Sequence, residues 1–408
     1  MGIAIQRTAK FFSDLFLKQE VPEIYGSITM GESGPTVYEQ QNDTSSATAK
    51  PALYSTALIP EYLNLHLGDL RWKVMGPANQ YNLGYAIRLD NEFNLDTHLK
   101  NNFKSNYRNI RKKHARLESC FVIRYQVFHG SISKSEYQYL MDCLHTMLDS
   151  RFRQRQDRNE ILEEWDELFA RAYQQILNKS ASLFVIYDKE IPIDISLNYH
   201  LEKVLYGAVS SYDIDYYKFG LGTIEKLKII EWCLDNNYRL LDFGYGDLDY
   251  KSTWSNYTYR FKYQVAYNPA SFLGFPLARL ELLRLAAKEY LKSKKINVYV
   301  NKIRGKSLSG NNMAPHSKYS HAYTCTPMAV GLDAAQLKEI SPDIMEKLPI
   351  KLALNNFLYT TQESEVQTAV YELLDDPESY LISGSKNFQK ITFGMVDPMN
   401  GPGDGDPN

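Results

Sequence analysis

Residues 212–254 gather side chains and turns that together could do chemistry. In order they are Tyr212-Asp213, the loop Tyr217-Lys218-Phe219-Gly220-Leu221-Gly222-Thr223, the run Asp242-Phe243-Gly244-Tyr245-Gly246, and Tyr250-Lys251-Ser252-Thr253-Trp254. Two glycines beside a helix start let backbone amides turn toward one point, and the helix dipole adds positive potential there. Lys218 can add a full charge, so this loop suits a pyrophosphate. Asp242 ends an apolar strand, where its carboxylate can face a ligand cleft as a general base. Tyr250 can hand a proton to a leaving thiolate, and Lys251 can hold an anionic group. Such a set suits acyl transfer from a phosphate-bearing thioester. The plainer alternatives are a tight strand-to-helix turn at the glycines, a turn cap at Asp242 and a core tyrosine at position 250.

Other chemistries lack their residues. The loop has neither the three glycines of a dinucleotide fingerprint nor the GK[ST] of a Walker loop. Four cysteines stand far apart without a CxxC pair, and the eight histidines show no HxxxH spacing, so no metal site is expected. No apolar run approaches the roughly 18 residues that span a bilayer. The amino-terminal segment does not read as a secretory signal, and the expected location is cytoplasmic. Residues 331–408 carry 13 acidic and 5 basic side chains, which leaves the first 330 residues mildly basic within a net charge of −2. A basic body suits an anionic ligand, though an ordinary solvated surface also explains it.

The elements that must position these residues follow from periodicity. Strands are expected at 182–187, 191–199 and 204–212, joined by short turns as an antiparallel meander. A helix over 223–236 and a strand over 239–243 come next, then the strand RFKYQVAY after Trp254. Leu140, Leu144, Met147 and Leu148 mark one earlier helix, and Leu162, Trp165, Phe169, Ala172 and Ile176 another. A basic helix over 104–116 carries six Lys or Arg and no acid, and a basic amphipathic helix is expected over 276–295. Either helix could be a solvated face or a dock for something anionic, a membrane surface included in the second case. Residues 1–20 read as an amphipathic helix and 26–51 as a linker. Residues 307–320 and 401–408 read as linker and disordered end, with helices expected near 334–347 and 365–374.

These motifs resemble the cellulose-biosynthesis-associated (CelD/BcsL-like) branch of the GNAT acyltransferases, which is related to the FemAB-like peptidyltransferases. The matching pieces are Asn109-Ile110-Arg111-Lys112-Lys113, Tyr212-Asp213, the loop 218–223, and Asp242-Phe243-Gly244-x-Gly246 followed by Tyr250-Lys251-x-x-Trp254. The resemblance covers residues from about 53 to 300. It implies an α+β fold: a GNAT-like mixed, mostly antiparallel sheet flanked by helices, in the manner of a degenerate tandem. The divisions expected are 1–52, a helix and linker; 53–130, a degenerate GNAT-like half; 131–305, the acyltransferase domain; and 306–408, an acidic extension. The sheet should split between the strand ending at Tyr212 and the strand ending at Phe243, admitting a pantetheine arm. The implied donor is acetyl-CoA or a longer acyl-CoA, held at Lys218, Phe219, Gly220, Leu221, Gly222 and Thr223, or else an acyl carrier protein. The implied acceptor is an amine or hydroxyl of a small molecule, peptide or saccharide. Asp242, Tyr250 and Asp213 are the catalytic candidates, with Asp213 alternatively a turn cap. Lys251, Trp254, Tyr212 and Arg111 are the substrate contacts. Tyr217 departs from the Gln/Arg-x-x-Gly-x-Gly/Ala pattern, which leaves carrier protein beside coenzyme A as donor. An aminoacyl-tRNA-dependent transferase and a non-catalytic binding module are the competing functions; DNA is not an expected partner.

Overall fold

The computed structural model describes residues 5–31, 34–40, 51–155, 160–246, 248–294, 323–328, 336–340 and 350–393. The expected linker at 307–320 and the end at 401–408 lie outside them. The chain opens with β1 (Ile5–Thr8), α1 (Phe11–Ser13) and a π-turn (Asp14–Lys18). β2 (Tyr25–Met30), β3 (Thr36–Glu39), β4 (Leu53–Pro60), β5 (Leu63–Leu67) and β6 (Lys73–Arg88) follow. Next come α2 (Leu95–Phe103), α3 (Tyr107–Cys120), β7 (Ile123–Phe128), α4 (Lys134–Arg155), α5 (Glu160–Glu163) and α6 (Trp165–Leu177). The centre consists of β8 (Ala181–Asp188), β9 (Ile191–Leu201), β10 (Val204–Tyr212), α7 (Leu221–Asp235), β11 (Leu240–Tyr245), α8 (Asp249–Trp254), β12 (Tyr257–Tyr267) and α9 (Gly274–Ser293).

Nine of these strands form one sheet in the order β1-β4-β12-β6-β11-β10-β9-β8-β7. Only β1–β4 and β10–β11 pair in parallel among the described residues, so the sheet is mixed and mostly antiparallel as expected. Helices cover both faces. Leu140, Leu144, Trp165, Leu168 and Ile176 of α4 and α6 pack on one side against Leu183, Val185 and Leu197. Ile110, Leu117, Ile224, Leu227 and Ile230 of α3 and α7 pack on the other against Phe184, Ile186 and Leu205. Burial from two sides explains why β8 is buried along its whole length and reads as a nearly continuous apolar run.

Three expectations give way. The first 20 residues are not a single helix: Ile5–Thr8 pairs in parallel with β4, and only the next turn-and-a-half buries Phe11, Phe12, Leu15 and Phe16. Residues 26–40 are not a linker. β2 and β3 join β5 in a three-stranded sheet, because a Ser/Thr-rich strand needs only one apolar face, supplied here by Ile28 against Phe11 and Leu63. The carboxy-terminal part is chiefly a five-stranded sheet of β13 (Tyr323–Met328), β14 (Leu337–Glu339), β15 (Ala369–Leu373), β16 (Asp376–Ser383) and β17 (Phe388–Phe393). The expected helix at 365–374 is instead a 3₁₀ turn and β15, where alternation in AVYEL outweighs helical spacing. Of the other expected helix, near 334–347, the described residues include strand β14, and the rest lies outside them. The helix of this part is α10 (Lys351–Thr361).

One close approach in the large sheet is sterically demanding. Gly84 of β6 pairs with Tyr259 of β12, and a methyl at Gly84 would lie 2.2 Å from Tyr259 Cζ. Gly84→Ala is therefore expected to cost about 1–3 kcal/mol by overpacking, read as a lower urea midpoint. Wild-type stability in that variant would refute the packing described.

Candidate active site

β10 and β11 run side by side only over Val204–Leu240, Leu205–Leu241 and Tyr206–Asp242. Past that point β10 bulges between Gly207 and Val209, β11 shifts register on β6 between Asp242 and Tyr245, and the two strands part. The split expected between them is present. Asp242 is the last residue of β11 in the parallel ladder and has no exposed surface. Its Oδ2 accepts from Tyr62 Oη at 2.6 Å and Tyr259 Oη at 2.7 Å; its Oδ1 accepts from the Gly244 amide at 2.6 Å. Gly244 has φ +70, and a side chain there would press on Tyr206 at 3.1 Å, so the turn that returns its amide to the carboxylate favours glycine.

Burial raises the Asp242 carboxyl to about 6, against the pull of these donors and of Lys251. Burial likewise lowers Lys251 to about 8, although Asp242 attracts its charge. The Lys251 ammonium donates to Tyr245 O at 2.7 Å and lies near Gly246. These opposite shifts put an acid and a base of the same cluster within reach of neutral pH. Because the Asp242 pKa is raised on folding, the stability it contributes is present below the ordinary value of 3.8 and lost as pH rises through about 6.

A second polar group lies at the far end of β10. Asp194 of β9 pairs across from Tyr212, is wholly buried, and neither carboxylate oxygen has a hydrogen-bond partner among the described residues. Burial and the neighbouring Glu225 raise its pKa well above 3.8, while Lys226 and Arg151 oppose that rise. Lys226 Nζ stands 3.5 Å from Glu225 Oε2 and 5.0 Å from the ring centre of Tyr250. Arg151 caps the Tyr212 ring at 4.8 Å. Tyr250 is 43% exposed, and its phenol is held above its ordinary pKa by partial burial against the opposing Lys226 charge.

The glycine loop is a 3₁₀ turn (Ile214–Phe219) that hands over to α7 through Gly220 at φ +71. Gly220 O takes the amides of Thr223 and Ile224, so Leu221 and Gly222 stand first in a 15-residue helix, where no carbonyl lies one turn back. Lys113 of α3 crosses this point: its Nζ is 3.6 Å from where a Gly220 Cβ would sit. Burial lowers the pKa of Lys218, and Cys325 of β13 lies near enough to act against that shift.

The other expected contacts are dispersed. Phe219 and Leu221 have no exposed surface, Phe219 packing on Phe121 and Tyr359, so only their backbones can meet a ligand. Trp254 is 3% exposed and packs edge-on against Phe103, which makes it a core residue. Arg111 pairs with Asp96 at 2.6 Å on the surface rather than at the split. Asp213 caps the 3₁₀ turn through the Asp215 amide and pairs with Lys351 at 2.7 Å, the capping alternative that its position in the sequence allowed. Tyr62, Tyr259 and Asp194 were not singled out from the sequence, and Lys113 entered only as one of the basic run Asn109–Lys113. Of the first three, Asp194, a lone charge in the apolar run IPIDIS, carried a local signal.

Residues 104–252 match the family model described as an acetyltransferase (GNAT) domain. This segment is a GNAT-type acetyltransferase domain. Solved structures with a distant likeness include a conserved protein of unknown function from Bacteroides thetaiotaomicron VPI-5482, at 9% identity and TM-score 0.36 over 52% of this chain and 69% of that one. FemX matches at 11% identity and TM-score 0.37 over 57% and 74%. The C-terminal DUF2156 domain of a putative lysylphosphatidylglycerol synthetase from Agrobacterium fabrum matches at 10% and 0.34 over 56% and 72%. Comparison with curated proteins gives no match. The GNAT domain contains Lys113, Asp194, the glycine loop, Asp242, Tyr250 and Lys251; Tyr62, Gly84 and Tyr259 lie outside it.

Since the Tyr62 hydroxyl favours the ionised carboxylate, Tyr62→Phe is expected to move the Asp242 midpoint upward from about 6. Carbon-13 NMR titration of the aspartate carboxyls reads the shift, and an unchanged or lowered midpoint contradicts the hydrogen-bond assignment.

Proposed function

We propose that this chain transfers an acyl group from a coenzyme A thioester to an amine or hydroxyl acceptor, with an acyl carrier protein as the alternative donor. The observation that carries the reading is the parting of β10 and β11 just past Tyr206–Asp242, with Asp242, Lys251 and Tyr250 grouped at the opening. In this reading the donor pyrophosphate meets the Leu221 and Gly222 amides and Lys113. The pantetheine arm follows β10 toward the opening. Holding the two reactants in line supplies much of the rate.

For an amine acceptor, the nitrogen lone pair attacks the thioester carbonyl carbon, a C–N bond forms and the C–S bond breaks. Asp242 is buried, so the proton released from nitrogen reaches it through the Tyr62 hydroxyl, which donates to its Oδ2. Tyr250, exposed at the same opening beside the Lys226 ammonium, returns a proton to the thiolate. Lys251 balances the Asp242 charge and orders the turn at Tyr245.

The test is an acyl-CoA and acyl-carrier panel with mass detection of products. Asp242→Asn is expected to lower kcat by about 10²–10⁴ and Tyr250→Phe by about tenfold or more. If these two and Lys251→Ala all keep wild-type rates, the assigned site is wrong; activity lost on ribonuclease treatment would point to a tRNA donor. The Lys113→Ala variant should raise KM for the donor about tenfold with little change in kcat, as one charge-assisted contact is removed. The kcat/KM profile should climb through about pH 6 as Asp242 ionises and fall above about 8 as Lys251 loses its proton. Asp242→Asn should remove the acid limb and move the alkaline limb to lower pH, because the carboxylate that attracts the Lys251 charge is gone.

A further inference from the structure

α9 crosses β4, β6 and β12 with Ala278, Glu281 and Leu285 turned inward onto Leu53, Tyr263 and Val265. A surface helix of this kind should present polar residues on the opposite side. Here the opposite side is apolar. Leu280, Leu283, Ala287, Tyr290 and Leu291 recur at three- and four-residue steps, with Leu280 63%, Leu283 68% and Tyr290 62% exposed. Phe272, 91% exposed, stands just ahead of the helix, and Phe275 is exposed in its first turn. Aromatic side chains thus mark both ends of the stripe.

The charges around it are of one sign. Both acids of α9 are drawn toward the sheet: Glu281 pairs with Arg7 at 3.0 Å and Arg284 at 2.6 Å, and Glu289 accepts from Tyr263 Oη at 2.7 Å and Lys292 at 2.9 Å. Arg279, Lys288 and Lys294 are exposed beside the stripe, and no exposed residue of 272–294 is acidic. A second copy of the chain laid on this face would set these basic rows against each other. An anionic lipid surface would meet them with opposite charge and accept the leucines below the headgroups.

We propose that the outer face of α9 seats the protein on an anionic membrane surface, with Leu280, Leu283 and Tyr290 entering the headgroup boundary and Arg279 and Lys288 meeting lipid phosphates. The helix lies in the plane of the surface, its inner face still packed on the sheet. Sedimentation of the full chain with vesicles tests this, using phosphatidylcholine alone and phosphatidylcholine with about one-third phosphatidylglycerol, at about 0.1 M and about 1 M salt. Binding should be at least about tenfold stronger to the anionic vesicles and should weaken at high salt. The pair Leu280→Ser with Leu283→Ser should weaken it about tenfold or more, and Arg279→Glu with Lys288→Glu should abolish the preference for phosphatidylglycerol. All four side chains are exposed, so both variants should keep the wild-type melting temperature. Equal binding to both vesicle types, no effect of the leucine pair, or a wild-type dimer that the leucine variant splits would each overturn the proposal.

Discussion

A carboxylate with no exposed surface is costly unless donors meet its lone pairs, and Asp242 imposes that demand on its neighbours. Meeting it requires a tyrosine from the β4–β5 turn, a second from β12, and a backbone amide returned by a left-handed glycine. Tyr259 reaches the carboxylate only because Gly84 leaves room for its ring. Elements on both sides of the matched segment therefore help to build the candidate site around Asp242. Residues nearly two hundred positions apart in the chain are tied together by one buried charge.

The same residue marks where two strands stop pairing. A parallel ladder that ends at Tyr206–Asp242 leaves the later carbonyls and amides of β10 and β11 without each other, and bulges on both strands take up the change of direction. Beyond it, the β10 end is braced from outside the GNAT domain. Lys351 pairs with Asp213, Asn355 donates to Asp215 O at 3.1 Å, and Tyr359 packs on Phe219. The loop that introduces α7 is thus held between α3 on one side and α10 on the other.

The DFGxG and YK motifs were legible because glycine turns and apolar strand ends are local signals, and the structure packs them on each other: Lys251 donates to Tyr245 O and Tyr250 meets Phe243 edge-on. The β8–β10 meander was legible for the same reason; its strands are long, apolar and joined by short turns. Tyr62 and Tyr259 were not, since each is one tyrosine among 31 and its importance arises only when β4, β12 and β11 lie together. Lys113 was visible as part of a basic run, but which of its charges faced Gly220 depended on helix rotation against α7. Trp254 and Phe219 misled in the opposite sense: aromatic residues inside a motif can be its packing rather than its chemistry. The polar strands β2 and β3 were missed because composition hides a strand that needs only one apolar face.

The seat of α10 bears on where this protein can be divided. The matched segment ends at residue 252, yet Phe121, Tyr216 and Phe219 share one apolar core with Ile350, Leu354, Phe357 and Leu358. Two carbonyls at the end of that helix, those of Leu358 and Tyr359, accept from Cys120 and Arg116 of α3. A chain cut ahead of residue 350 would bring those aromatic side chains to water beside the glycine loop. The matched stretch is accordingly not a self-contained packing unit: its sheet takes in the strands before it and its core takes in the helix long after it.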